Sequence, residues 1–294
     1  MASQSEQARL GLTTTTLPSY AHKKASTDPP GQFPSPLVFP PHHAHRQTFI
    51  ILHGRGATAA EFAPPLLDTA TSAGEKLQDV FPHAKLIFPT ASRSRATIYK
   101  RSYTHQWFDH WHMNEPAKRQ ELMRAGLRRS CEYIHGILER EIRDVGRENV
   151  VLWGLSQGCA TSLTSLLTWD GEPFAATIGM CGYLPFANHI EDIARGSNSD
   201  AEDLFGNGDD DPFSHSGDED DEGCIFGRED SVSQDRPTQA VAFLRDEIEI
   251  GGENRMVFQN IPVFLGYGIE DEKVPIEIGR EAKTCLGLLG LMLR

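Results

Sequence analysis

The sequence predicts an α/β chain built on a mostly parallel sheet with helices on both faces. Two observations lead there. Five runs of strand length are continuously apolar (48–52, 85–89, 150–154, 175–180 and 261–266), and amphipathic stretches alternate with them. Continuous apolarity, as opposed to in-and-out alternation, means that both faces of each strand are covered, the mark of a parallel sheet between helices. Strands alternating with helices imply a doubly wound sheet with right-handed crossovers.

Taken in chain order, residues 1–45 carry Pro29-Pro30, Pro34, Pro36 and Pro40-Pro41, a composition that favours extended chain and reads as a disordered arm. His42, His43 and His45 lie in it without a fourth ligand, so they read as a solvated loop and not as a metal site. The run 48–52 ends in His53-Gly54-Arg55-Gly56, and a helical pattern follows over 61–80. Pro89 stops the second strand, and a long charged helix is expected over 116–145. Strand 150–154, helix 159–167 and strand 175–180 continue the alternation. Residues 196–234 then break it, lacking apolar periodicity, and read as a disordered acidic insertion. Helix 239–247, strand 261–266 and helix 276–289 complete one domain over 46–294.

Charge is local. The 294 residues hold 41 acids against 28 Lys and Arg for a net −13, but eleven acids without a Lys or Arg fall in 200–222 and account for all but two of those charges. The remainder offers no basic surface for a phosphate backbone, which disfavours nucleic-acid partners. Five cysteines without C-x-x-C spacing argue against a disulfide framework or a zinc ribbon. The Ser/Thr-rich N-terminus lacks the apolar core of a signal peptide, and no apolar run approaches a membrane span. A cytoplasmic protein is the expectation.

The sharpest motif is Gly154-Leu155-Ser156-Gln157-Gly158, directly between a buried strand and a helix. G-x-S-x-G is a nucleophile elbow: the serine occupies a strained turn in which side chains two residues to either side would clash, hence the glycines. The turn sets the Ser156 hydroxyl on a helix N-terminus, whose free N–H groups favour developing negative charge. His53-Gly54-Arg55-Gly56, at the end of the first core strand, is placed for an oxyanion loop, with the N–H groups of Arg55 and Gln157 as donors. The stretch Gly54 to Ala59 also satisfies the G-x-G-x-x-A dinucleotide fingerprint, but the next strand runs into Thr90-Ala91-Ser92 without the acid that would hold a ribose. After the fifth strand, Gly268-Ile269-Glu270-Asp271-Glu272-Lys273-Val274-Pro275 places Asp271 where a triad acid would orient an imidazole; Glu270 and Glu272 are its neighbours, and an acidic cap before Pro275 is the plain alternative.

These motifs, with Trp107-Phe108-Asp109, occur in an order and spacing that resembles the acyl-protein thioesterase, or phospholipase/carboxylesterase, family of small α/β-hydrolases, over 47–289 outside the acidic insertion. The resemblance implies Ser156 as nucleophile, Asp271 as triad acid, Arg55 and Gln157 as oxyanion donors, and Trp107 and Phe108 beside the acyl pocket, with ordinary core packing as the alternative for the two aromatics. It implies hydrolysis of acyl thioesters on S-acylated proteins, or of carboxylic esters of lysophospholipid-like lipids, without metal or cofactor. It also implies a histidine some three dozen residues after the acid, on a further strand followed by a closing helix. Only 23 residues follow Asp271 and none is His, so the expected chain lacks that strand and helix and looks truncated relative to the family, and a catalytically impaired protein is the alternative. His105, His110 and His112, in the loop bearing Trp107, are the candidates for a substitute base.

Overall fold

The computed structural model describes residues 28–112, 117–196 and 235–294. Residues 197–234 of the expected acidic insertion and the first 27 residues of the expected arm lie outside them. The sheet comprises β1 (Leu37–Phe39), β2 (Gln47–Leu52), β3 (Ala84–Phe88), β6 (Val150–Leu155), β7 (Ala176–Met180) and β8 (Val263–Gly266), in the spatial order β1-β3-β2-β6-β7-β8. Every pairing is parallel except that of β1 with β3. A separate antiparallel hairpin joins β4 (Arg93–Ala96) and β5 (Ser102–His105). The helices are α1 (Ala59–Asp68), the single turn α2 (Leu77–Val80), α3 (Arg124–Val145), α4 (Gln157–Leu167), α5 (Ala187–Arg195), α6 (Arg236–Glu247) and α7 (Ile276–Leu288).

Successive residues of the inner strands serve opposite cores, because side chains alternate across a strand. Phe49 and Ile51 of β2 join Leu86, Phe88, Ala59 and Ala63 in a smaller cluster under α1. Ile50 and Leu52 join Val150, Leu152 and the apolar faces of α3 through α7 in the larger one. The parallel α/β sheet covered on both faces is therefore as expected, and all five core strands stand within two residues of their expected bounds.

Three expectations change. The arm predicted over 1–45 includes folded chain: Leu37, Val38 and Phe39 pair with Phe88, Ile87 and Leu86, and Phe33 stacks on Tyr133 with ring centroids 4.1 Å apart. Prolines do not prevent this, because β1 is an edge strand, where a missing N–H is tolerated. The helix expected over 61–80 is two pieces separated by a turn through Gly74 at φ 82°. The helix expected from 116 begins at Arg124, after a 3₁₀ turn over Gln120–Leu122. Past α7, Leu293 makes a parallel bridge with Val263 on the open side of β8, and Arg294 N–H donates to Val263 C=O at 2.9 Å. Among the described residues no helix is long and apolar enough to cross a membrane.

Candidate functional site

Ser156 follows β6 directly and caps α4, with φ 54° and ψ −118°. A positive φ at a residue with a side chain costs of order 1–3 kcal/mol and persists only where the surroundings impose it. They do so by close approach. A Cβ on Gly154 would lie 2.2 Å from the Gly158 carbonyl oxygen, and one on Gly158 would lie 2.5 Å from that of Leu52. The two glycines flanking the serine let α4 begin against the ends of β6 and β2. Ser156 N–H donates to Met180 C=O at 2.8 Å, tying the elbow to the end of β7.

The loop after β2 faces the elbow. A Cβ on Gly54 would lie 3.8 Å from Ser156 Oγ, and Gly54 and Arg55 line the space above the hydroxyl. His53 is buried and neutral: its Nε2 accepts the Ala91 N–H at 3.0 Å, which leaves Nδ1 to donate to Gly54 C=O at 2.7 Å. Gly56, at φ 80°, donates to His105 C=O at 2.8 Å. Thr58 and Glu61 then close a capping box at the start of α1.

Beyond its backbone N–H, the buried Gln157 side chain ties the elbow to the loop that carries the aromatics. Its Oε1 accepts the Trp107 N–H at 3.0 Å and its Nε2 donates to Phe108 C=O at 2.7 Å. Trp107 and Phe108 are each 1 % exposed. Trp107 Nε1 donates to His53 C=O at 2.8 Å, and a Cβ on Gly126 of α3 would meet Phe108 Cα at 2.5 Å. These aromatics therefore form the wall behind the elbow, packed into the larger core, and neither lines the cleft above Ser156. The resemblance placed them beside an acyl chain; their depth gives them the packing role.

That cleft, about 590 Å³ and open to solvent, is lined by Gly54, Arg55, Tyr99, Leu155, Ser156, Gln157, Cys181, Asp271, Glu272, Lys273 and Val274. Four of the expected site residues, Arg55, Ser156, Gln157 and Asp271, thus meet in one place. Asp271 Oδ1 accepts the N–H groups of Lys273 at 2.9 Å and Val274 at 3.1 Å, and these bonds hold its carboxyl below the usual carboxylate range. The turn keeps the acid ionised, as an imidazolium partner requires. Sequence reasoning missed Cys181 and Tyr99. Cys181 has φ 47°, its N–H donates to Gly266 C=O at 2.8 Å, and it is half-buried in the cleft lining with Asp271. Burial pushes the thiol's pKa up. Tyr99 is delivered by the β4–β5 hairpin, whose 3₁₀ turn is pinned where Thr97 N–H donates to Asp109 at 2.9 Å.

Among the described residues no histidine lines the cleft. His105 is buried away from it, with Nδ1 2.8 Å from Ala91 C=O. His110, 2 % exposed, has Nε2 2.9 Å from Arg55 Nη1, and Gln157 Nε2 lies 3.5 Å from its Nδ1. Burial, then the charge of Arg55, lowers its pKa from 6.5 to about 3. His110 is therefore a neutral acceptor for Arg55 and a poor proton acceptor for Ser156 at neutral pH. The role of substitute base does not suit either residue, and His112 is likewise absent from the cleft lining.

The profile of the family described as phospholipase/carboxylesterase matches residues 34–217. Acyl-protein thioesterase 1 of Schizosaccharomyces pombe is 27% identical over 153 residues, 52% of this chain and 62% of that protein. Acyl-protein thioesterase 1 of Kluyveromyces lactis is 29% identical over 136 residues, 45% of this chain and 58% of its own length. The chain thus spans about 60% of the length of these curated relatives. Two solved structures share the fold: acyl-protein thioesterase 2 of Zea mays, with TM-score 0.52 and 19% identity over 88% of this chain and 87% of that one, and Arabidopsis thaliana SOBER1, with TM-score 0.52 and 18% identity over 85% and 86%.

Proposed function

The chain belongs to the phospholipase/carboxylesterase family, and from that premise we propose that it is a cytoplasmic serine hydrolase working through an acyl-Ser156 intermediate. Its substrates in this reading are acyl thioesters on S-acylated proteins or carboxylic esters of lysophospholipid-like lipids. The observation that carries the reading is Ser156 held at positive φ at the head of α4, in one cleft with Asp271 and the Gly54-Arg55 loop.

Ser156 Oγ attacks the acyl carbonyl carbon and gives its proton to a base, while the N–H groups of Arg55 and Gln157 receive the oxyanion, each such donor typically worth about 2.7–4 kcal/mol of barrier. Collapse expels the thiol or alcohol, which takes that proton. Water then attacks the acyl-enzyme with the same base, releasing the carboxylic acid and restoring the serine. Asp271 orients the base and stabilises its protonated form. The base required by this reading is an imidazole, and no histidine follows Asp271 in these 294 residues.

One observation favours a second reading, an impaired hydrolase that binds acyl groups without turning them over: the cleft as described has a nucleophile and an acid but no histidine in its lining. A fluorophosphonate probe separates the two. Labelling of the 294-residue chain that Ser156→Ala abolishes supports the hydrolase. Absence of labelling supports the binder.

A further inference from the structure

The side chain of Arg55 plays no part in the reaction outlined above, which uses only its backbone N–H. It is nonetheless directed and immobilised. Nη1 lies 2.9 Å from Nε2 of the buried, neutral His110, and the guanidinium carbon lies 5.1 Å above the Tyr99 ring. Among the described residues Arg55 forms no ion pair, and none of the hydrogen bonds found there uses its Nε or Nη2. It is half-buried in the cleft wall beside Gly54, whose Cβ position is 3.8 Å from Ser156 Oγ. A cation held by a neutral base and an aromatic face keeps its full charge, and the unused Nε–Nη2 edge presents two parallel N–H donors, the fork that fits an oxo-anion.

We propose that Arg55 makes this cleft selective for acyl substrates that carry a singly charged oxo-acid group, a carboxylate or a phosphodiester, near the scissile carbonyl. The inference rests on the hydrolase reading for the word substrate, but the binding preference stands apart from turnover. A single charge is favoured because the lining pairs two cations, Arg55 and Lys273, with two acids, Asp271 and Glu272, which leaves no net positive field for a second negative charge, while one guanidinium edge satisfies one anion. The anchoring by His110 and Tyr99 reduces the rotamer freedom that Arg55 would otherwise lose on binding, so more of the ion pair's strength appears as affinity.

The test uses ketones, which occupy an ester site without being cleaved. Binding of 5-oxohexanoate, methyl 4-oxopentyl phosphate and the neutral 5-oxohexanamide to the 294-residue protein is measured by titration calorimetry or ligand-observed NMR. We expect at least one of the anions to bind about ten-fold or more tighter than the amide, as a charge-assisted bond implies, with the tighter anion naming the substrate class. Arg55→Gln should erase the preference, and Arg55→Lys should keep part of it, because an ammonium supplies charge without the fork. Equal affinity for acids and amide in the wild type, no measurable binding of either acid, or a preference that survives Arg55→Gln overturns the proposal. If Arg55→Gln loses its cooperative thermal transition, the wild-type series and Arg55→Lys decide. Failure of fluorophosphonate labelling would count against the hydrolase reading while leaving the anion preference measurable.

Discussion

The two sides of the cleft are built by opposite means. On the elbow side Ser156 sits at the contact of β2, β6 and α4, where backbone meets backbone and the Gln157 amide locks the neighbouring loop in place. On the acid side Asp271 stands in a surface loop organised by its own carboxylate, with Ile269 86% exposed beside it. A nucleophile needs strain that only a rigid frame can impose, whereas an acid needs only to be ionised and within reach. The contrast teaches that precision in this site is concentrated on one wall.

The sharpest way to break the comparison is to make the same substitution on both walls. Gly158→Ala puts a methyl 2.5 Å from the Leu52 carbonyl oxygen and 2.7 Å from that of His53, and backbone cannot yield cheaply. We expect a loss of about 3 kcal/mol or more, seen as a fall in the urea midpoint or as insoluble protein. Gly268→Ala meets nothing closer than 3.8 Å, so its midpoint should move by no more than about 0.5 kcal/mol. Comparable losses at the two positions would show that the acid loop is as tightly held as the elbow.

Titration gives a smaller contrast. His110, behind the elbow, has its pKa lowered from 6.5 to about 3, so the unfolded chain binds this proton more readily than the folded one. Its contribution to stability is complete above about pH 6.5 and is lost as pH falls from there toward 3, at up to about 1.4 kcal/mol per pH unit. Asp271 is also lowered, but its contribution is lost only as pH falls below the ordinary carboxylate range, and its exposure keeps that contribution small. Between pH 6.5 and 5, wild type should therefore lose stability faster than His110→Asn, while Asp271→Asn should track wild type; parallel curves for wild type and His110→Asn would remove His110 from the account.

The smallest effect has the opposite sign. Ser156→Gly removes a side chain from φ 54°, ψ −118°, and relief of that strain should raise stability by about 1 kcal/mol. A fall in the denaturation midpoint would mean that the elbow imposes no strain on its serine.

How much of this was legible from residue order follows the same division. The elbow side was read almost completely, because strain and close approach demand glycines at fixed spacing, and Gly154, Gly158 and Gly54 stand where the chemistry needs them. The covered sheet was legible for a similar reason: burial on both faces writes unbroken apolar runs. The β4–β5 hairpin was missed because Arg93-Ser94-Arg95 has no apolar face to betray a strand, so Tyr99 had no visible route to the cleft. Helix α5 did leave a trace, with Ala187, Ile190, Ile193 and Ala194 at helical spacing, hidden by its approach to the acidic stretch. Trp107 and Phe108 were noticed, but aromatic residues suit a core as well as a ligand, and only depth distinguishes the two.

The short strand β1 has a practical bearing on how the gene is cut for expression. Composition recommends starting near residue 46, yet that boundary would remove Leu37–Phe39 and leave the backbone of β3 bare along one side. Bare strand backbone recruits other copies of itself, so a fragment trimmed there should collect in inclusion bodies, while one begun before Asp28 should stay in the supernatant.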